Sequence, residues 1–142
     1  MNKQSVTIGY LLQNIPVEIK QRSNSVVVNF VKQVKNRWIY KVNDYIVRIK
    51  IIKIPEADRK KLTKKALSRI LRVKNRDIFV SCTCNFWKYN GPDYNANKQG
   101  YGERVFSDLS SPDEKDPQKE NLLCKHAYMA LKEFKKKFKE VN

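Results

Sequence analysis

Every cysteine of this chain and its only histidine fall into two tight pairs, Cys82-Thr83-Cys84 and Cys124-Lys125-His126. No other feature restricts the possible fold as much. Thiolates and imidazoles are the preferred ligands of zinc, and a structural zinc site is closed by a tetrahedron of four protein ligands. Local geometry supports the pairing. Residues two apart on a strand project to the same side, so Cys82 and Cys84 can address one ion. Residues two apart inside a helix diverge by roughly 200°, from about 3.6 residues per turn. Cys124 is therefore expected just before a helix and His126 in its first turn. A metal held by all four would clip the end of a strand to the start of that helix.

On the residues alone, two other readings stay open. The cysteines can be inert small hydrophobes with His126 an ordinary surface residue. One cysteine and His126 can be a catalytic pair, which leaves the other two cysteines without a role. A disulfide between residues two apart is sterically poor. Three cysteines also make a weak disulfide framework, which points to a reducing compartment. Three Cys and one His leave a tetrahedral ion no open position, so the expected cofactor is a structural Zn2+.

The second constraint is charge. The formal net charge is +16 over 142 residues, with hydrophobic residues at 41%. That length suits one domain with its own core. The apolar content is too high for a disordered basic tail, so the charge sits on a folded body that wants an anionic partner. Its distribution is uneven: residues 1–80 carry a net +14, residues 81–124 a net −2, and residues 125–142 a net +4. No apolar run approaches the roughly 18 residues of a membrane span. The N-terminal stretch has no charged head, apolar block and cleavage site in the order of a signal peptide.

Periodicity predicts an α+β fold: a small antiparallel sheet, two helices, and a zinc-clipped strand–long loop–helix unit. Val6, Ile8, Tyr10 and Leu12, then Ile15, Val17 and Ile19, alternate as half-buried strands do. Val26 to Val34 fits either a strand or a helical stripe, and its run of valines favours strand. Arg37 to Ile52 reads as a hairpin turning at Asn43-Asp44, both tolerant of left-handed backbone angles. That register pairs Val42 with Tyr45, Tyr40 with Val47 and Trp38 with Ile49, making one face wholly apolar. A slip of one residue would mix the faces. Pro55 opens a basic helix over about 56–73, a strand covers Ile78 to Thr83, and a last helix runs from about Leu123 to Glu140. Ala127, Ala130, Leu131, Phe134 and Phe138 form its buried face. The chain thus divides into a basic, β-rich body (1–77) and a metal-binding unit (78–142) with a long insert (85–123).

C-x-C on a strand followed by C-x-H at a helix start resembles the SWIM-type zinc finger. Cys82, Cys84, Cys124 and His126 match its four ligands, and Phe86 matches the aromatic that commonly follows. Asn85 stands where a proline is usual, and the insert is longer than the usual form. Asn85-Phe86-Trp87, Gly91-Pro92-Asp93-Tyr94, Asp116-Pro117 and Leu123-Cys124-Lys125-His126 together resemble small SWIM-like proteins of tailed-bacteriophage genomes. The resemblance implies a zinc-stabilised structural component of a virion, present in host cytoplasm before assembly. Its partners would be other virion proteins and packaged DNA, with no membrane and no small-molecule substrate.

The alternative is a nucleic-acid-binding SWIM-like zinc finger. The candidate anion contacts are Arg37, Lys41, Arg48 and Lys50 of the hairpin, with Lys60, Lys61, Lys64, Lys65, Arg69 and Arg72 of the basic helix. The insert's Phe86, Trp87, Tyr89, Tyr94, Tyr101 and Phe106 are expected to build a small core or a protein contact rather than to stack bases, since a loop this long needs its own packing. No paired catalytic carboxylates, glycine-rich phosphate loop or nucleophile with a spare base is present, so no enzyme is expected.

Overall fold

The computed structural model describes residues 8–51, 78–102 and 115–139, and for 137–139 the backbone alone. Four strands form one antiparallel sheet in sequence order: β1 (Val28–Val34), β2 (Arg37–Val42), β3 (Tyr45–Ile51) and β4 (Ile78–Cys82). Around it lie α1 (Ile8–Gln13), α2 (Val17–Arg22), a single 3-10 turn (Ser23–Ser25), α3 (Asn85–Tyr89), α4 (Pro92–Gln99) and α5 (Lys125–Lys139). The fold is α+β, as the patterning predicts.

The hairpin has the expected register. Val42 pairs with Tyr45, Tyr40 with Val47 and Trp38 with Ile49, and Trp38, Tyr40, Val42, Val47 and Ile49 are all buried. No glycine is needed in its turn, because Asn43 takes the left-handed conformation itself, at φ 53°. The Asn43 side chain is also used. Its Oδ1 accepts a hydrogen bond from the Val27 N–H at 3.1 Å, while the Asn43 N–H donates to the Val27 carbonyl at 3.0 Å. The turn is thereby stitched to the chain entering β1. Residues 28–34 form a strand, with a bulge between Phe30 and Lys32 where the β1–β2 register shifts.

The segment around residues 6–19 corrects the strand expectation. It forms α1 and α2, and residues 6 and 7 lie outside the described residues. Leu11 is 0% exposed, whereas Tyr10 and Val17, which an alternating strand would bury, are 45% and 67% exposed. The buried set is Ile8, Leu11, Ile15 and Ile19, spaced by three and four residues as one helical stripe. Pro16 obscures this stripe in the sequence by breaking it. The residue before a proline avoids helical angles, and Pro16 itself is the extended N-cap of α2, at φ −55° and ψ 143°. The Asn14 N–H and side chain both donate to the Tyr10 carbonyl and close α1.

The inner face of the sheet is covered by α5, which packs against all four strands and against α1 and α2. Ala127, Ala130, Leu131 and Phe134 point inward and are fully buried. The Phe134 ring meets Trp38 edge-on, centroids 5.0 Å apart. The helix begins at Lys125 rather than Leu123, because Cys124 caps it. The basic helix expected over 56–73, and Phe106 and the Phe138 side chain, lie outside the described residues.

The long insert is not a plain loop. It contains α3 and α4, and Trp87, Ala96, Tyr101 and Leu122 are buried, which is the small core its length requires. Pro92 sits in the first turn of α4, and Gly100 closes it in the left-handed conformation at φ 83°. Tyr101 then returns to the sheet, where its carbonyl accepts a hydrogen bond from Val80 on the outer edge of β4.

Candidate metal centre

Strand β4 ends at Cys82, opposite Val47 of β3, with its side chain on the buried face of the sheet. The pairing carries one residue further, since the Thr83 N–H donates to the Ile46 carbonyl and the Ile46 N–H to Thr83 Oγ1. Cys84 has left the ladder but remains extended, at φ −78° and ψ 162°. The two-residue alternation therefore persists, and both cysteines are buried on one side.

Both Cys84 and Cys124 cap helices. Cys84 Sγ accepts a hydrogen bond from the Trp87 N–H at 3.4 Å, at the start of α3. Cys124 Sγ accepts one from the Ala127 N–H at 3.4 Å, at the start of α5. Each sulfur thus stands where an N-cap oxygen would, satisfying an N–H that the first turn leaves without a carbonyl. Such donors favour the thiolate. His126 follows in the first turn of α5, 5% exposed, with its ring 4.8 Å from the Tyr45 ring. Tyr45 packs against the imidazole from β3, a contact that no local sequence pattern signals.

The ligand atoms of Cys82, Cys84, Cys124 and His126 all lie within 4.8 Å of one another, and all four residues are buried. Around a tetrahedral zinc, with Zn–S about 2.3 Å and Zn–N about 2.0 Å, ligand atoms lie about 3.5–3.8 Å apart. No separation in the cluster exceeds that by more than about 1 Å. His126 Nδ1 is buried with no hydrogen-bond partner, and the three cysteines are free thiols. Burial pushes the Cys124 thiol well above its ordinary range, while hydrogen bonds from Cys124 and then Cys82 hold Cys84 well below it. Three buried sulfurs this close cannot all ionise without a cation among them. A dication removes that conflict, so the donor set fits a structural Zn2+.

Around the insert, the Gly91-Pro92-Asp93 and Asp116-Pro117 segments meet. Asp116 is 2% exposed and accepts hydrogen bonds from Asn95 Nδ2 and the Glu120 N–H, both at 2.9 Å, and from the Asn121 N–H at 3.3 Å. Asn121 Nδ2 donates in turn to the Asn90 carbonyl at 2.8 Å, and Tyr101 Oη donates to the Leu122 carbonyl at 2.6 Å. These bonds tie the chain after Cys84 to the chain before Cys124. They hold the two ligand pairs at a fixed separation despite the long insert.

Of the anion contacts predicted from sequence, Arg37, Lys41 and Arg48 are exposed and Lys50 is half-buried. They lie together on the outer face of the sheet, away from the metal. Lys60, Lys61, Lys64, Lys65, Arg69 and Arg72 lie outside the described residues. Among the described residues no helix is long and apolar enough to cross a membrane.

The family model for the SWIM zinc finger matches residues 70–93 and 118–135. The two matched stretches contain the four clustered residues and leave out the middle of the insert. This part of the chain is similar to the SWIM zinc finger, and Cys82, Cys84, Cys124 and His126 form a buried Cys3His cluster within it. No curated protein and no solved structure matches the chain.

Proposed function

We propose that this zinc-stabilised protein binds nucleic acid through the outer face of its sheet, while the metal holds the fold and takes no part in contact. The observation that carries the reading is the charge of that face. None of the four strands contains an aspartate or glutamate, and they contribute Lys32, Arg37, Lys41, Arg48 and Lys50. Arg37 and Lys50 are direct cross-strand partners. Like charges placed opposite one another destabilise a sheet, and an anion lying across the pair reverses that penalty. The SWIM-type unit and the net charge of +16 support the same reading. The metal's part is structural rather than catalytic, because four protein ligands leave the ion no position for a substrate.

The test is equilibrium binding of labelled DNA and RNA across a salt series. Phosphate contacts release counterions, so affinity should fall steeply between about 50 and 200 mM salt. Absence of binding at low salt would remove the proposal.

A second reading, a structural component of a bacteriophage virion, draws on β1. It is an edge strand, and Val27, Phe30, Val31 and Val34 on and beside it are exposed. Apolar side chains on a sheet edge suit contact with a neighbouring subunit. Mass spectrometry of purified particles decides it, since absence of the protein from them would exclude that role.

A further inference from the structure

The outer face carries more than charge. Register aligns Arg37, Lys50 and Phe79 in one row across β2, β3 and β4, and Ile39, Arg48 and Ser81 in the next. These six side chains line a groove of about 330 Å³. Phe79 is half-buried, and the Lys50 ammonium lies 6.0 Å from its ring centroid. The sequence assigns Phe79 only to a strand. Its neighbours on β4, Ile78 and Val80, face the core, so the alternation places the Phe79 ring outward. An aromatic on the solvent side of a sheet, bordered by cations and by no carboxylate of the strands, has the composition of a base-stacking platform.

Width then favours one form of nucleic acid. Strands lie about 4.8 Å apart, so the backbones of four strands span about 14 Å before side chains are added. The major groove of a duplex is about 12 Å wide and admits a helix or a two-stranded ribbon. A four-stranded face cannot enter it. A single strand, by contrast, can lie across the sheet with its phosphates on Arg37, Arg48 and Lys50 and one base over Phe79.

We infer that this face is a single-strand-binding surface in which Phe79 stacks a base and Arg37, Arg48 and Lys50 hold the adjoining phosphates. The inference rests on the nucleic-acid reading above and adds to it the preferred form of the ligand and the stacking residue. Stacking ranks bases only weakly, since every base has a π face, so the surface binds single strands with little sequence preference.

The test uses the full zinc-loaded chain and labelled single-stranded DNA, single-stranded RNA and duplex DNA. Each probe is longer than the roughly 4–16 nucleotides that one such surface covers. Single strands should bind more tightly than duplex. Phe79→Ala should weaken single-strand binding by about 5-fold to 100-fold. Its salt slope should be unchanged, because no phosphate contact is lost. Phe79→Leu keeps an apolar side chain on the strand and should show the same loss, while Phe79→Trp should retain affinity. Arg48→Ala should weaken binding and reduce the salt slope by about 0.7. Zinc content and melting temperature identify any variant that has misfolded. Equal or tighter binding of duplex, or unchanged binding by a folded Phe79→Leu, overturns the inference while leaving the nucleic-acid reading in place. Failure of every probe to bind at low salt overturns both.

Discussion

Gly91 lies so close against the carboxylate of Asp116 that a β-carbon at position 91 would overlap Oδ2 and approach Cγ to 2.9 Å. The backbone agrees with the contact, since Gly91 has φ 122°, a conformation that side chains rarely adopt. This contact joins the beginning of the insert to its end. Gly91→Ala should therefore destabilise the protein by about 1–3 kcal/mol through backbone strain alone, read as a lowered melting temperature. A Gly91→Ala melt indistinguishable from the parent would mean that position 91 holds neither this backbone conformation nor the contact.

Asp116→Ala removes the acceptor for Asn95, Glu120 and Asn121. Leaving those donors unpaired costs about 1–3 kcal/mol. Because the two residues share one contact, the double variant Gly91→Ala/Asp116→Ala should be less damaged than the sum of the singles. A double-mutant cycle measures the coupling.

The N-terminal helices give a sharper mutational contrast. Leu11 is fully buried and Val17 is 67% exposed. Leu11→Ala should cost about 2–5 kcal/mol, and Val17→Ala less than about 0.5 kcal/mol. A strand pattern that buries Ile15, Val17 and Ile19 together would make Val17→Ala the costly one. Denaturant melts of the two variants separate the cases.

How far the sequence could be read differed between regions for physical reasons. The hairpin of Arg37 to Ile51 was legible because two signals agree, an alternating apolar face and turn residues that fix the register. The candidate ligand cluster was legible because chemistry restricts such ligands to Cys and His, and this chain has so few. Residues 8–22 were misleading because Ile8, Tyr10 and Leu12 alternate by coincidence, and Pro16 cuts the helical stripe into pieces too short to stand out. The Asp116 network was not legible as a unit. Its members span residues 90 to 121, and hydrogen bonds between distant polar residues leave no periodic trace. Phe79 beside Lys50 is likewise a product of strand pairing, visible once the register is known, whereas Tyr45 beside His126 comes from the packing of α5 on the sheet.

Tyr40 makes an alkaline prediction. Its hydroxyl is buried without a hydrogen-bond partner, and burial, then the nearby Glu133 carboxylate, push its pKa up to about 12 from the ordinary 10.0. A phenol whose folded pKa is raised contributes stability that is fully present below pH 10.0 and is lost as pH rises toward about 12. Stability should therefore fall across that window. Burial, then Asp116, raises Tyr101 well above its ordinary value, so it adds to the fall. Tyr40→Phe should change stability at neutral pH by less than about 1 kcal/mol, because no made hydrogen bond is lost. It should also shallow the alkaline decline. A decline as steep in Tyr40→Phe as in the parent would show that Tyr40 is not its source.

The zinc clip between β4 and α5 is tested most directly by native mass spectrometry of the untagged chain, with and without Cys124→Ser. The Cys3His cluster predicts a single zinc ion per chain. Binding energy and folding energy are shared at such a site, so Cys124→Ser should lose the ion and also melt α5, read as a drop in helical circular dichroism. A parent chain that folds fully with no metal, or a Cys124→Ser variant that keeps both zinc and helix, would contradict the account.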